Sequence, residues 1–335
     1  MVARRAFRPG TEHRPVDPEF LMILHPDCEA YLEAVERWRE KTSIQSWADI
    51  GADRAKAVFS ELKLSRMPKL PEMDLVEDYE IEGRAGPRRV RILRPKGAGT
   101  RPLPVALYFH GGGYVLGGIE ESEDEARRIA ANTPALVISA SYRLGPDHPF
   151  PAAIDDAYDA LLWAAHHAAS FGGDPRRLMV GGTSAGAGLA AAISRLAATE
   201  NGPRIALTYL LCPWLDLTMS QHSVLDYGDG YGLDRVDLEW FRQCYLGPDE
   251  APDHPLASPI LHPVPPRLPK TFVLAAECDP LRDEARVYAR MLKEAKVPVT
   301  YVMAPGMVHA FNALIHLIPG GLPQIAAIDE ALRGV

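Results

Sequence analysis

A chain of 335 residues with a formal net charge of -8 carries no electrostatic footprint for nucleic acid or an anionic membrane surface. Its 47% apolar and 24% charged residues belong to an ordinary globular protein, long enough to bury a core without disulfides or metals. Cys28, Cys212, Cys244 and Cys278 show neither CxxC spacing nor a histidine pair at metal-ligand intervals, so they are expected to be free thiols rather than a zinc site.

Residues 1–20 contain basic side chains but no apolar stretch of the kind a secretory leader needs. No uninterrupted apolar run reaches the length of a membrane span, and the expected location is the cytoplasm. Helical patterns follow over 28–41 and 47–64; in the first, Tyr31, Leu32, Val35 and Trp38 recur on one face. Pro68 and Pro71 close this region, which is expected to form an N-terminal helical cap segment over 1–72.

From residue 73 to the end the pattern is that of an α/β catalytic domain. Runs at 75–81 and 88–93 flank a turn at 83–87 and predict an opening antiparallel pair. Apolar runs at 105–109, 136–140, 178–181, 205–211, 272–276 and 299–303 then alternate with helical patterns at 123–132, 152–170, 185–199, 284–295 and 324–332. Fully apolar strands separated by helices are what a parallel sheet covered on both faces requires. The expected fold is therefore α/β, with about eight mostly parallel strands flanked by helices. One stretch, about 214–268, breaks the alternation; it is rich in Pro, Asp and Tyr and holds one helical pattern at 236–245. It is expected to form a second cap segment over the carboxyl edge of the sheet, where such folds bind ligands. Within or beside it, Trp214, Tyr227, Tyr231, Trp240 and Phe241 fit a pocket lining and a cap core equally well.

Gly182-Thr183-Ser184-Ala185-Gly186 is a G-x-S-x-G pentapeptide between a predicted strand and a predicted helix of small residues. So tight a reversal holds the serine in strained geometry, and the helix start aims amides at charge developing beside it. No lysine follows, as a phosphate-binding loop would need, and the glycines are out of register for a dinucleotide fingerprint. His110-Gly111-Gly112-Gly113-Tyr114 follows another strand. Consecutive glycines are costly in folding entropy, and acyl transfer gives a reason for them: bare amides that hold an oxyanion. Gly112 and Gly113, joined by Ala185, are the expected oxyanion donors.

A serine hydroxyl needs a base, and the base needs orienting. Of the eleven histidines, His309 follows an apolar strand late in the chain, where the third member of a Ser, acid, His order belongs. His166 and His167 fall in an alanine-rich helix, His148, His254 and His262 neighbour prolines, and His316 is expected inside an apolar helix. For the acid, Asp279 ends a strand just before Pro280. Strand alternation puts Glu277 on the same side, so Glu277 stands as the second choice, with Asp283 a further competitor. The expected triad is Ser184, Asp279 and His309.

Together, His110–Tyr114, the segment 141–153 (SYRLGPDHPFPAA), Gly182–Gly186, Asp279–Glu284 and 306–311 resemble the bacterial hormone-sensitive-lipase-like esterases of the α/β-hydrolase superfamily. The resemblance runs from about residue 75 to the end, and Thr183, where the family commonly has Asp, is similar to its GTSAG-type branch. It implies an esterase for short acyl esters, with a cap shaping the pocket and with no cofactor and no metal. It also implies a homodimer, and gives Arg143 and Asp147 a bracing role. The sequence departs from the family in having Gly145 for the commoner Ala and Ala187 for the commoner Gly. A same-fold amidase or lactonase needs the same residues, and a non-catalytic binder is expected to have lost one of the three.

Overall fold

The structure is a computed structural model that describes residues 24–335. Residues 1–20, where a secretory leader would fall, and the first part of the expected 1–72 cap segment lie outside the described residues. No helix among the described residues is long and apolar enough to cross a membrane.

Eight strands form one sheet: β1 (Met73–Ile81), β2 (Arg88–Pro95), β3 (Leu103–Phe109), β4 (Leu136–Ala140), β5 (Gly173–Thr183), β6 (Leu207–Leu211), β7 (Thr271–Cys278) and β8 (Val299–Val308). Their order is β1-β2-β4-β3-β5-β6-β7-β8. Only β2 runs against its neighbours; β3 through β8 are parallel. The helices are α1 (Pro26–Thr42), α2 (Ala52–Leu64), α3 (Glu123–Asn132), α4 (Ala152–His167), α5 (Ala185–Thr199), α6 (Ser223–Tyr227), α7 (Arg235–Leu246), α8 (Arg282–Glu294) and α9 (Leu322–Arg333).

The apolar runs are strands because each must fill two cores at once. Along β3, Val105, Leu107 and Phe109 enter the core shared with α4, α5 and α8. Their neighbours Ala106 and Tyr108 enter the opposite core, shared with α3 and α9. Side chains of a strand alternate between faces, so a strand buried on both sides has no place for a polar position.

Several elements differ from the sequence expectation: β8 runs on to Val308, and a short helix, α6, stands in the 214–268 stretch ahead of the expected one. The helical pattern at 47–64 is divided: a 3-10 turn over Trp47–Ile50 is capped by Ser46, and α2 starts afresh after Gly51, whose φ is 71°. The polar reach of β5 extends upstream to Gly173, which the apolar pattern omitted. His316 lies in a turn after the 3-10 segment Phe311–Ala313, not in a helix. Around it Leu314 and Ile315 are half-buried, Ile318 is buried and Leu317 is exposed.

The topology determines where chemistry sits. The chain leaves β3 to form β4 on one side, then crosses back to place β5 on the other. Loops at the carboxyl ends of two such strands diverge and leave a crevice. Phe109 of β3 pairs Gly182 of β5, and Cys278 of β7 pairs Val308 of β8. The residues that follow these positions are His110–Gly113, Ser184, Asp279 and His309, so all of them emerge along one edge of the sheet.

Candidate active site

Ser184 joins β5 to α5 with φ 58° and ψ -119°. That conformation costs a non-glycine residue roughly 1–3 kcal/mol and persists only where the surroundings hold it. Here the Ser184 amide donates to Leu211 O at 2.8 Å, and its carbonyl accepts from Ala187 and Gly188 at 3.0 and 3.1 Å. The turn is also too tight for a larger neighbour, since a Cβ on Gly186 would stand 2.2 Å from the Phe109 carbonyl oxygen.

His309 Nε2 lies 2.9 Å from Ser184 Oγ, and its Nδ1 lies 2.8 Å from Asp279 Oδ2. A carboxylate only accepts, so Nδ1 carries the ring proton and Nε2 is left to accept from the serine hydroxyl. Asp279 is fully buried, and its other oxygen accepts from the Leu281 amide at 2.8 Å. The alternative acid is engaged elsewhere: Glu277 Oε2 accepts from the Gly306 amide at 2.7 Å. Asp279 lies one residue past the end of β7, where strand alternation no longer applies, while the two extra residues of β8 between Ala304 and Val308 bring the Gly306 amide to Glu277. Asp283 is turned away to Arg282 and the Ser223 amide.

Above the serine, the backbone N–H groups of Gly112, Gly113 and Ala185 meet no acceptor among the described residues. Gly113 has φ 62°, and a Cβ there would fall 2.3 Å from the Phe241 ring, so the loop passes directly beneath α7. His110 anchors the base of this loop. Its ring stacks on Tyr142 with centroids 4.3 Å apart, and its Nδ1 donates to the Gly111 carbonyl at 2.7 Å.

Burial pulls the His110 pKa down to about 4, against the opposing pull of the Gly111 carbonyl. An unfolded chain takes up this proton near pH 6.5 while the folded one refuses it, so stability is full above that pH and is lost as pH falls toward about 4. The loss from this group is expected to be about 3 kcal/mol. Denaturant unfolding of wild type and His110→Asn across that range measures it: the variant should show the flatter acid limb, and equal slopes would refute the assignment.

Beneath the serine is a buried polar network that the sequence did not announce. Glu125 Oε1 accepts from Thr183 Oγ1 at 2.8 Å and Asn312 Nδ2 at 2.5 Å, and Glu125 Oε2 accepts from Tyr108 at 2.5 Å. Asn312 also donates to Thr183 at 2.9 Å. One carboxylate from α3 thus ties the residue before Ser184 to the turn after His309. Its only sequence signals were Asn312 close behind His309 and one acid among several at the start of α3. Buried Glu284 accepts from the Leu215 amide at 2.8 Å and likewise braces the loop after β6. Arg143 makes a two-pronged pair with the buried Asp156 at 2.8 and 2.9 Å, while Asp147 is exposed and pairs Lys56 of α2 at 2.8 Å.

Ser184 and His309 open onto a cavity of about 280 Å³. Its walls come from α1, α2, the loop before α7, and α7 itself, and include Trp38, Trp47, Phe59, Leu238 and Phe241. Of the five aromatic residues left open by the sequence, Trp214, Tyr231 and Phe241 line it. Tyr227 instead carries the Arg282 guanidinium 4.9 Å above its ring, and Trp240 packs against Phe241. The N-terminal helical region and the 214–268 segment meet across a buried carboxylate: Asp237 accepts from the Ser46 hydroxyl and the Trp47 amide, both at 2.8 Å.

Cys212, Asp279 and His309 bring potential metal-ligand atoms within 4.8 Å of one another. They do not fit a metal centre. Asp279 and His309 are spent on each other, and burial keeps the Cys212 thiol protonated. All four cysteines are free thiols.

With this geometry, the chain matches a family described as having the alpha/beta hydrolase fold over residues 106–313. It is 35% identical to an ethyl acetate hydrolase of Pseudomonas putida over 315 residues, 93% of this chain and 99% of that one. It is 38% identical to the carboxylic ester hydrolase LipN of Mycobacterium tuberculosis over 264 residues, 77% of this chain and 70% of the relative. Among solved structures, an ester hydrolase from the metagenome of Lake Arreo, complexed with a bipyridine phosphonate derivative, superposes with a TM-score of 0.89. It shares 32% identity, over 93% of this chain and 99% of that one. The chain belongs to the α/β-hydrolase superfamily, within its hormone-sensitive-lipase-like esterase family.

Proposed function

We propose that this protein is a serine carboxylesterase that hydrolyses short-chain acyl esters by two-step acyl transfer. The observation that carries the reading is the continuous hydrogen-bond chain from Ser184 Oγ through His309 to Asp279 at the foot of an apolar cavity. His309 Nε2 takes the hydroxyl proton as Ser184 Oγ bonds to the ester carbonyl carbon, and the carbonyl oxygen becomes an oxyanion facing the amides of Gly112, Gly113 and Ala185. Collapse of this intermediate breaks the carbon–alkoxy bond, and the leaving alcohol takes the proton from His309. Water then adds to the acyl-enzyme by the same route, releasing the acid and restoring Ser184. Asp279 holds the imidazole orientation and stabilises its cation without taking the proton.

The names of the relatives, an ethyl acetate hydrolase and a carboxylic ester hydrolase, support small esters as substrates. A cavity of about 280 Å³ supports short acyl groups as well. Residues 1–72 and about 214–268 are proposed to act together as the cap, a reading supported by their shared Asp237 contacts and their place in the cavity wall. Hydrolysis of p-nitrophenyl esters across increasing acyl length tests the assignment. The specificity constant kcat/KM should peak among the short chains, and a maximum at long chains, or no hydrolysis of any, would overturn it.

A cytoplasmic location and a homodimer complete the proposal. Four free thiols support a reducing compartment. The outer edge of β8, flanked by half-buried Val299, Tyr301 and Met303, pairs with no other strand among the described residues and supports a second copy there. Cell fractionation and sedimentation velocity are the respective measurements; recovery outside the cytoplasm, or the mass of one chain, would count against each.

A further inference from the structure

Strained turns converge behind the triad. Ser184, Cys212 and Ala310 all have left-handed backbone, with φ of 58°, 45° and 53°, and none is a glycine. Such conformations persist only where the surroundings hold them. Ser184 carries the nucleophile, and Ala310 directly follows His309. The Cys212 thiol lies within 4.8 Å of both the Asp279 carboxylate and the His309 ring. These turns leave three different strands, β5, β6 and β8, so no local backbone pattern sets their spacing.

One buried carboxylate links them. Glu125 Oε1 accepts from Thr183, the residue before Ser184, at 2.8 Å and from Asn312 Nδ2, just past Ala310, at 2.5 Å. Asn312 Oδ1 in turn accepts from the Cys212 thiol at 3.7 Å. Glu125 Oε2 accepts from the Tyr108 hydroxyl on β3, two residues before the glycine loop starts at His110. Every partner of the carboxylate donates, as an ionised group requires, and the Arg128 guanidinium 4.0 Å from Oε1 favours the same charge. A charged acceptor of this kind makes stronger hydrogen bonds than a neutral one, and it answers several donors at once. The separation between nucleophile and base is therefore held from below by a group that belongs to neither.

We propose that Glu125 is a positioning residue for acyl transfer: through Thr183 and Asn312 it fixes the distance from Ser184 Oγ to His309 Nε2, and so governs kcat rather than substrate binding. The proposal rests on the esterase reading for the reaction whose rate it sets. Its test is a charge exchange, read as kcat per active site on a short p-nitrophenyl ester. Sites are counted by fluorophosphonate labelling run to completion, so protein that fails to fold drops out of the count. Asn312→Asp removes the Nδ2 donor and sets a second carboxylate against Glu125. It should lower kcat about 10²-fold, the effect of a misplacement of about 1 Å between reacting groups, with KM within about twofold of wild type. Adding Glu125→Gln restores one amide and one carboxylate in exchanged places, and should bring kcat back to within about fivefold of wild type. A kcat for Asn312→Asp within about threefold of wild type would overturn the proposal, as would a double variant no faster than Asn312→Asp alone. If Asn312→Asp yields no sites to count, Thr183→Val decides, since it removes one link at nearly constant shape. That variant should show about tenfold lower kcat at unchanged KM, and an unchanged kcat would be equally fatal. Failure of the esterase reading is distinct: wild-type protein itself would then hydrolyse no ester.

Discussion

Replacing Ser184 with alanine is expected to lower kcat for a short p-nitrophenyl ester by about 10⁶-fold, with KM little changed, because the three triad side chains act as one unit. The substitution removes the atom that would form the acyl-enzyme and leaves the cavity wall intact. The hydroxyl lies 2.9 Å from the imidazole proposed to activate it, on a backbone held at φ 58° by hydrogen bonds to Leu211, Ala187 and Gly188. Such an elbow is maintained at a cost to folding, so the variant should unfold no more easily than the wild type. Covalent labelling by a fluorophosphonate should be complete in the wild type and lost in the variant. Turnover within about tenfold of wild type, far short of the loss expected when a triad is broken, would place the nucleophile elsewhere.

Asp279→Asn is the second large effect, an expected fall of about 10⁴-fold in kcat. The carboxylate makes Nδ1 of His309 the protonated nitrogen. An amide offering its own N–H group at that position favours the opposite tautomer, in which Nε2 carries the proton and cannot accept one from Ser184. Glu277→Gln is the comparison. Glu277 holds the Gly306 amide with one oxygen, and the glutamine carbonyl can do the same, so kcat should stay within about threefold of wild type. If the two substitutions exchanged these effects, the acid would be Glu277.

Most of the fold was legible because its signals are local. The apolar run over Leu136–Ala140 and the helical patterns over Glu123–Asn132 and Ala185–Thr199 appear in the structure with the bounds their periodicity gives. The division of the 47–64 pattern was less visible, since apolar spacing continues across Gly51 while the backbone does not. The turn around His316 was missed for the same reason: helical spacing and loop burial place apolar residues alike over so short a stretch.

By itself the sequence determined which residues follow the carboxyl ends of strands, and that made Ser184, His309, Asp279 and the glycine loop the candidate positions, with Glu277 as a second acid. Turn chemistry and two-residue alternation are properties of a few neighbouring residues, so they can be read without coordinates. Only the tertiary structure showed what each acid touches: Asp279 meets His309 Nδ1, while Glu277 meets the Gly306 amide in the irregular part of β8. It alone joined Glu125 to Thr183 and Asn312, and it alone sorted the cap aromatics into lining and packing. Those are meetings between segments far apart in the chain, and a side chain's partner across such a gap is set by how whole elements pack rather than by its neighbours in sequence.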